Sequence, residues 1–403
     1  MAKNVKSPTS THCSGCGACS VVCPVQAIKI VENSEGFLEP VINDKCVDCG
    51  ICQTVCCKYQ SVNNLPTLND TPCYAAYSAD YSIHQSTTSG GFAYELSKWG
   101  IENGFKIVGV VYDYESDRAR TVIVDSIQNL HALKGSKYIQ SYTEEAFRAL
   151  CELAQNNKEE RFICFGTPCQ IYGLRRLVDK KRLCNNFIYV DLYCHGVPSY
   201  LVWEPYIKKH RAKLGSISKL NFRYKGNGWH QYSIKIQGDR GEYCNFAYND
   251  IFYRYFFDNV VLNKSCFSCQ VRKQYSAADI RIGDFLGPLY EHREDGISAV
   301  TVISQKGADI VKLLKEDKRL VVVGEHRTEE CLRSQSTEDY TSMLLRNNVI
   351  DKLISGDDIV ETHKWYVAQF PFSKRVYLLL KKLITLLPNR FIVLMRRKIR
   401  NFK

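Results

Sequence analysis

Eight cysteines near the start of the chain are spaced for metal chemistry. Cys13, Cys16, Cys19 and Cys23 form one C-x2-C-x2-C-x3-C run, and Cys46, Cys49, Cys52 and Cys56 form a second. Thiolates at this spacing hold iron–sulfur cubes, and where two such runs occur together the fourth cysteine of each ligates the other's cluster. The spacing therefore assigns Cys13, Cys16, Cys19 and Cys56 to one [4Fe–4S] centre, and Cys46, Cys49, Cys52 and Cys23 to a second. Pro24 closes the first run, whereas Cys57 stands at that place in the second and is left as a spare thiol. Structural zinc is the rival reading, but zinc sites use separated C-x2-C pairs, not four cysteines packed into eleven residues. The runs are also an internal repeat, with Gly17 matching Gly50 and Val22 matching Val55. Glycine there lets the backbone turn tightly round a cube whose sulfurs take N–H donors.

Four more cysteines lie in the middle of the chain. Residues 161–165 (RFICF) read as a short apolar strand ending in Gly166-Thr167-Pro168-Cys169-Gln170. A helix follows over 171–180, then a second buried strand over 187–193 ending in Cys194-His195-Gly196. Strand, helix, strand implies a right-handed parallel crossover. Cys169 and Cys194 then sit at the carboxyl ends of parallel strands, the edge at which open α/β sheets bind ligands. Cys266 and Cys269 add a C-x2-C pair just ahead of AADIRIGDFLG at 277–287. Together these make four ligands for a third cluster; from spacing alone, zinc or free thiols remain equal alternatives.

Two glycine segments suit an anion. Ser89-Gly90-Gly91 precedes a helix over 92–102, where N–H groups point outward, although an N-cap and turn explains it as well. Gly135-Ser136-Lys137-Tyr138 is a turn carrying hydroxyl and ammonium groups, or else a plain surface loop. His195, beside a cysteine, and His230, after the GNGW turn, are candidate proton donors, but a lone histidine is more often structural.

The elements that must position these residues come from an ordinary globular composition. The chain has 403 residues, 45% hydrophobic and 24% charged, enough for a sizeable core. Residues 60–72 read as a linker out of the cysteine repeat. Strands are expected at 106–112, 121–125, 219–224, 232–237 and 299–304. Helices are expected from a Thr143 cap to about Asn156 and over 307–316, with a helical pattern after about 335. The polar first residues carry no secretory signal, and so many thiols suit a reducing cytoplasm. Ten cations within residues 374–403 account for most of the net charge of +12, so the body has no basic face for nucleic acid. No G-x4-G-K-[ST] loop occurs, and no C-x3-C-x2-C triplet. The basic end reads as two short cationic amphipathic helices divided at Pro388, too short to span a bilayer. They either cap the body or lie in the plane of an anionic membrane.

In their order along the chain, SGG (89–91), GSKY (135–138), GTPCQ (166–170), CHG (194–196), the 266/269 pair and ADIRIGD (278–284) carry a family likeness. Over roughly residues 8–305 the chain resembles the family of coenzyme F420 hydrogenase/dehydrogenase beta subunits. CHGVPS (194–199) and FRYKGNGW (222–229) look like its bacterial branch found beside polysaccharide-biosynthesis functions. The resemblance implies an iron–sulfur flavoprotein, with Cys169, Cys194, Cys266 and Cys269 holding a third [4Fe–4S] cluster. It further implies that Ser89, Gly90, Gly91, Gly135, Ser136, Lys137, Tyr138 and Thr167 help hold FAD, with Lys137 facing the pyrophosphate. Where many relatives carry arginine before the C-x2-C pair and tryptophan in the DFWG stretch, this chain has Asn263-Lys264 and Leu286, which bears on substrate identity.

The fold expected is thus α+β or α/β. A two-cluster ferredoxin domain (1–66) precedes a mixed α/β body in two parts (72–158 and 159–335) and a helical basic tail (336–403). The function expected is an oxidoreductase taking electrons from ferredoxin or a hydrogenase/dehydrogenase partner through the clusters and FAD. The organic acceptor is a deazaflavin, a nucleotide sugar, a polyprenyl-linked sugar or a tetrapyrrole. The rival is a non-catalytic electron-transfer protein that feeds a partner enzyme.

Overall fold

The computed structural model describes residues 3–7, 12–183, 186–272, 274–332, 335 and 342–384. Gly17 (φ 78°) and Gly50 (φ 74°) open matching one-turn helices, Ala18–Val22 and Ile51–Thr54, from the left-handed region that only glycine occupies without strain. Between them β1 (Ile28–Glu32) and β2 (Leu38–Ile42) form an antiparallel hairpin. The cysteine repeat thus folds as one small unit, with Ala18, Val21, Val22, Ile28 and Val55 buried on the body.

The body is built on one sheet. Its first strand is β3 (Pro72–Ser78), followed by the hairpin β4 (Phe105–Asp113) and β5 (Arg118–Val124), with the short β6 (Ser141–Tyr142) beside β5. The crossover strands are β7 (Arg161–Gly166) and β8 (Phe187–Leu192). The strands β9 (Ile217–Tyr224), β10 (Ser233–Gly238) and β11 (Gly241–Phe246) make a separate antiparallel sheet. Then β12 (Ile280–Asp284), β13 (Ser298–Val302) and β14 (Leu320–Arg327) return to the large sheet, whose order is β14-β3-β13-β12-β8-β7-β4-β5-β6.

The four central strands, β12, β8, β7 and β4, run parallel. Their near-continuous apolar sequences follow from burial on both faces. Helices Glu144–Asn156 and Pro168–Lys180 cover one face, through Phe147, Leu150, Leu174 and Leu177. Helices Phe92–Glu102 and Gln305–Glu316 cover the other, through Phe92, Leu96, Ile310 and Leu314.

Three features differ from the sequence reading. The two parts of the body, 72–158 and 159–335, are not separable, because β3–β6 share one sheet with β7, β8 and β12–β14. The linker is pinned: Leu68 N donates to Gln274 O at 2.8 Å, and Ser276 N to Pro66 O at 3.1 Å. Strands β1, β2, β3, β6, β11, β12 and β14 are additions to those expected; β14 is an edge strand whose side chains alternate between more buried and exposed. The helical end is as expected for Met343–Ile354 and Ile359–Ala368, which pack Val349, Ile350, Leu353 and Tyr366 into the core beside β9–β11. Helix Phe372–Ile384 begins the basic tail, whereas Pro388 and the rest of residues 385–403 lie outside the described residues. No helix among the described residues is long and apolar enough to cross a membrane.

Candidate iron–sulfur and cofactor site

The structure pairs the cysteine runs crosswise. Cys13, Cys16, Cys19 and Cys56 line one small cavity, where burial and, after it, the charges of neighbouring cysteines, Cys56 among them, raise the pKa of Cys13, Cys16 and Cys19; burial and then Cys49 and Cys23 raise that of Cys52. Burial pushes the Cys13 thiol up to about 11 and Cys19 well above its ordinary range, so cluster assembly there must expel protons. Backbone donors aim at the sulfurs: Gly15 N reaches Cys13 Sγ and Ala27 N reaches Cys23 Sγ, both at 3.3 Å, and Val5 N bonds Cys52. Such N–H···S bonds stabilise thiolates and tune a bound cluster. Among the described residues no three His, Cys, Asp or Glu side chains close round a single ion. A cube instead takes one thiolate per iron, so its sulfurs stand apart.

The central cysteines meet through strand register. In the parallel pair, Gly166 lies opposite Asp191, so Cys169 and Cys194 leave the sheet three residues later at the same edge. The adjoining strand places Arg281 opposite Asp191. Both side chains are fully buried, joined by Nε–Oδ1 (2.7 Å) and Nη2–Oδ2 (2.6 Å) bonds. The same guanidinium holds the carbonyls of Val271, Arg272 and Tyr275, just past the C-x2-C pair. One ion pair thereby fixes the strand leading to Cys194 and the loop leaving Cys269. The resulting cavity is lined by Cys169, Cys194, Cys266 and Cys269, together with Thr167, Arg272 and Cys57. Burial pushes Cys266 up to about 12 and Cys269 up to about 11, and Val197, Val271 and Arg272 supply backbone donors. Four converging thiols with N–H donors fit a third cluster. Cys57 is not an idle surface thiol: it faces this cavity, while its neighbour Cys56 belongs to the first centre.

The first centre and the cavity share a helix. Cys169 opens helix Pro168–Lys180, and one turn on, a Cβ at Gly173 would stand 3.0 Å from Cys16 Sγ and from Ala18 Cβ. Glycine is required there because the cysteine loop sits directly on the helix. Thr143 Oγ1 donates to Cys16 O (2.9 Å) and Gln140 Nε2 to Ser14 O (3.0 Å). Thr143 precedes its helix as expected, but its hydroxyl makes no cap and instead docks the cysteine domain. Glu35 of the hairpin pairs with Lys264 (2.5 Å) and Arg346 (2.7 Å), so the Lys264 departure serves this docking.

The glycine segments also come together: Ser136 N donates to Thr88 Oγ1 at 3.2 Å, and Lys134 Nζ to Ser86 Oγ at 3.0 Å. Gly90 is forced by close approach, since a Cβ would lie 2.3 Å from Ala76 O. Ser89 Oγ donates to Ile297 O. Lys137 corrects the expectation of a phosphate-facing cation. Its ammonium turns back onto the carbonyls of Ala132, Leu133 and Lys134 at 2.9–3.3 Å, holding its own turn. Burial lowers its pKa, as befits an inward position. Tyr138 packs into the aromatic core against Phe222, Tyr253 and Phe256. Thr167 lies apart from these loops, with Oγ1 3.2 Å from Cys169 Sγ.

Both candidate histidines pack against aromatic rings. His195 packs on Phe256 and Phe257 beside the cavity, and burial lowers its pKa. His230 lies against Trp229 with Nε2 3.2 Å from Tyr290 O. Sequence reasoning missed Lys225, whose Nζ gathers the carbonyls of His84, Ser89 and Asp295 at 2.6–2.9 Å and so fixes the SGG turn. It also missed Asp191, although an acid within a buried strand signals a required partner.

Together the fold and its cysteines define a protein with the ligand sets of an iron–sulfur protein. Residues 12–58 match the 4Fe-4S dicluster domain, and residues 159–328 match the carboxyl-terminal region of the coenzyme F420 hydrogenase/dehydrogenase beta subunit. The chain thus carries a dicluster domain at its amino-terminal side and, in its middle, a region similar to that beta subunit. It is 23% identical over 319 residues to a coenzyme F420-dependent sulfite reductase of Methanocaldococcus jannaschii, covering 74% of this chain and 45% of that protein. It is 26% identical over 176 residues to one of the subunits of the F(420)H(2) dehydrogenase of Methanosarcina mazei, covering 40% and 47%. The chain thus spans about half the length of the curated relatives it matches. The F420-reducing [NiFe] hydrogenase complex of Methanosarcina barkeri, solved as a xenon derivative, contains a chain that matches at a TM-score of 0.47 and 17% identity, over 75% of this chain and 92% of that one.

Proposed function

We propose that this protein passes electrons from a ferredoxin- or hydrogenase-type partner to an organic acceptor, using three [4Fe–4S] clusters and FAD. The observation that carries this reading is the Cys169/Cys194/Cys266/Cys269 cavity, set one helical turn from Cys16 of the first centre. When bound, the clusters carry single electrons and FAD pairs them for transfer as a hydride equivalent. The chain's own part is to hold sulfurs at fixed places, aim backbone N–H groups at them and keep water away. The joined SGG and GSKY turns, fixed by Lys225 and Lys137, supply a cradle for FAD, and buried polar atoms at Arg223, Trp229 and Gln231 that have no partner among the described residues fit a missing polar ligand. Full-length protein purified without air should retain FAD that dithionite or reduced ferredoxin bleaches. Absence of flavin from such preparations would sink the flavin reading.

A second reading, an electron-transfer protein with no acceptor of its own, is favoured by the exposed Cys49 and by the exposed apolar Val25, Val41 and Val47 of the same domain. Flavin that is reduced yet passes electrons to no sugar-linked or deazaflavin acceptor unless a partner enzyme is added would select it. A polysaccharide precursor is the acceptor class we favour, on the likeness of CHGVPS and FRYKGNGW.

Contact with an anionic membrane is proposed on the exposed Phe372, Leu379 and Leu380 of the last described helix, beside Lys374 and Arg375. Full-length protein should co-sediment with anionic vesicles at low salt and a version ending at Phe372 should not; equal binding by both contradicts this.

A further inference from the structure

Arg223 stands where the GSKY, ADIRIGD and FRYKGNGW segments meet, and its partners are incomplete. The side chain is 6% exposed. Its Nη1 pairs with the Asp284 carboxylate and donates to Tyr138 Oη at 3.4 Å, and its guanidinium carbon lies 4.2 Å from the Tyr232 ring centre. Nε and Nη2 have no hydrogen-bond partner among the described residues. These two N–H groups form the edge with which a guanidinium grips a pair of adjacent acceptors. Buried donors are rarely left without acceptors, so the edge points to a ligand. Two residues on, Lys225 grips Ser89 O of the SGG turn, so one strand end reaches both glycine segments.

We propose that the Nε–Nη2 edge of Arg223 receives the N1–C2=O edge of the flavin ring. This rests on the flavin reading above and assigns the ring's place within it. Charge and shape favour the ring over the pyrophosphate. Asp284 already neutralises the guanidinium, leaving a nearly neutral fork that suits an edge gaining one negative charge on reduction, not a pyrophosphate carrying two. The rings of Tyr232 and Tyr138 lie against the side chain and offer flat walls, as a planar ring requires.

The test is the midpoint potential of FAD bound to anaerobically purified full-length protein, read by spectroelectrochemistry, with iron content as the check on folding. Arg223→Lys keeps a charge opposite Asp284 and removes the two-pronged edge. Reduced flavin should then bind about tenfold more weakly relative to oxidised, a fall of about 30 mV for a two-electron couple. Asp284→Asn leaves the guanidinium uncompensated and should shift the potential upward, and this variant alone decides if Arg223→Lys loses its clusters. Unmoved potentials overturn the inference and leave the flavin reading standing. So does equal weakening of both oxidation states, which would assign the edge to the pyrophosphate. A wild-type chain that holds no flavin overturns the flavin reading itself.

Discussion

Arg281→Met should lower the unfolding free energy by on the order of 3–5 kcal/mol and release whatever metal the central cysteines hold. Arg281 and Asp191 are both fully buried and joined by two charge-assisted bonds, with Ser276 Oγ donating to the same carboxylate at 2.8 Å. Taking away the guanidinium leaves a carboxylate in the sheet interior with its main counter-charge gone. It also frees the carbonyls of Val271, Arg272 and Tyr275, and with them the loop that leaves Cys269. Arg281→Lys keeps the charge but cannot form the fork, and should fall between wild type and the methionine variant. Denaturant unfolding and iron content check both. A methionine variant within about 1 kcal/mol of wild type would mean that the ion pair does not organise this edge.

The parts of the site legible in the sequence are those whose chemistry is local. Four cysteines within eleven residues announce a cluster whatever surrounds them, and the repeat of Gly17 and Gly50 marks the turn each run needs. The crossover at 161–192 is readable because two short apolar runs flank one amphipathic helix, and its register then delivers Cys169 and Cys194 to one edge. What stays hidden depends on partners far along the chain. Lys137 reads as a phosphate ligand because the sequence shows its charge but not its direction, and the ammonium faces its own turn. Thr143 reads as a cap, yet Cys16 O competes for its hydroxyl. Strand β14 finds its place only beside β3, a pairing that no local pattern reveals. Cys57 is spare in the sequence because spacing does not show that the loop after Cys56 turns toward the central cavity. Asp191 and Arg281 are the missed signal that the sequence does contain, since an acid in one buried strand and a base in another need each other.

Iron and acid-labile sulfide per chain, measured on protein purified without air, test the central claim most directly. Three four-iron clusters give about twelve irons. Cys266→Ser with Cys269→Ser removes two thiols from the central cavity and none from the amino-terminal pair, so the count should fall to about eight, with the spectra of the two remaining clusters intact. A wild-type count of about eight, unchanged by the double substitution, would contradict the third cluster and leave only the two-cluster domain carrying electrons.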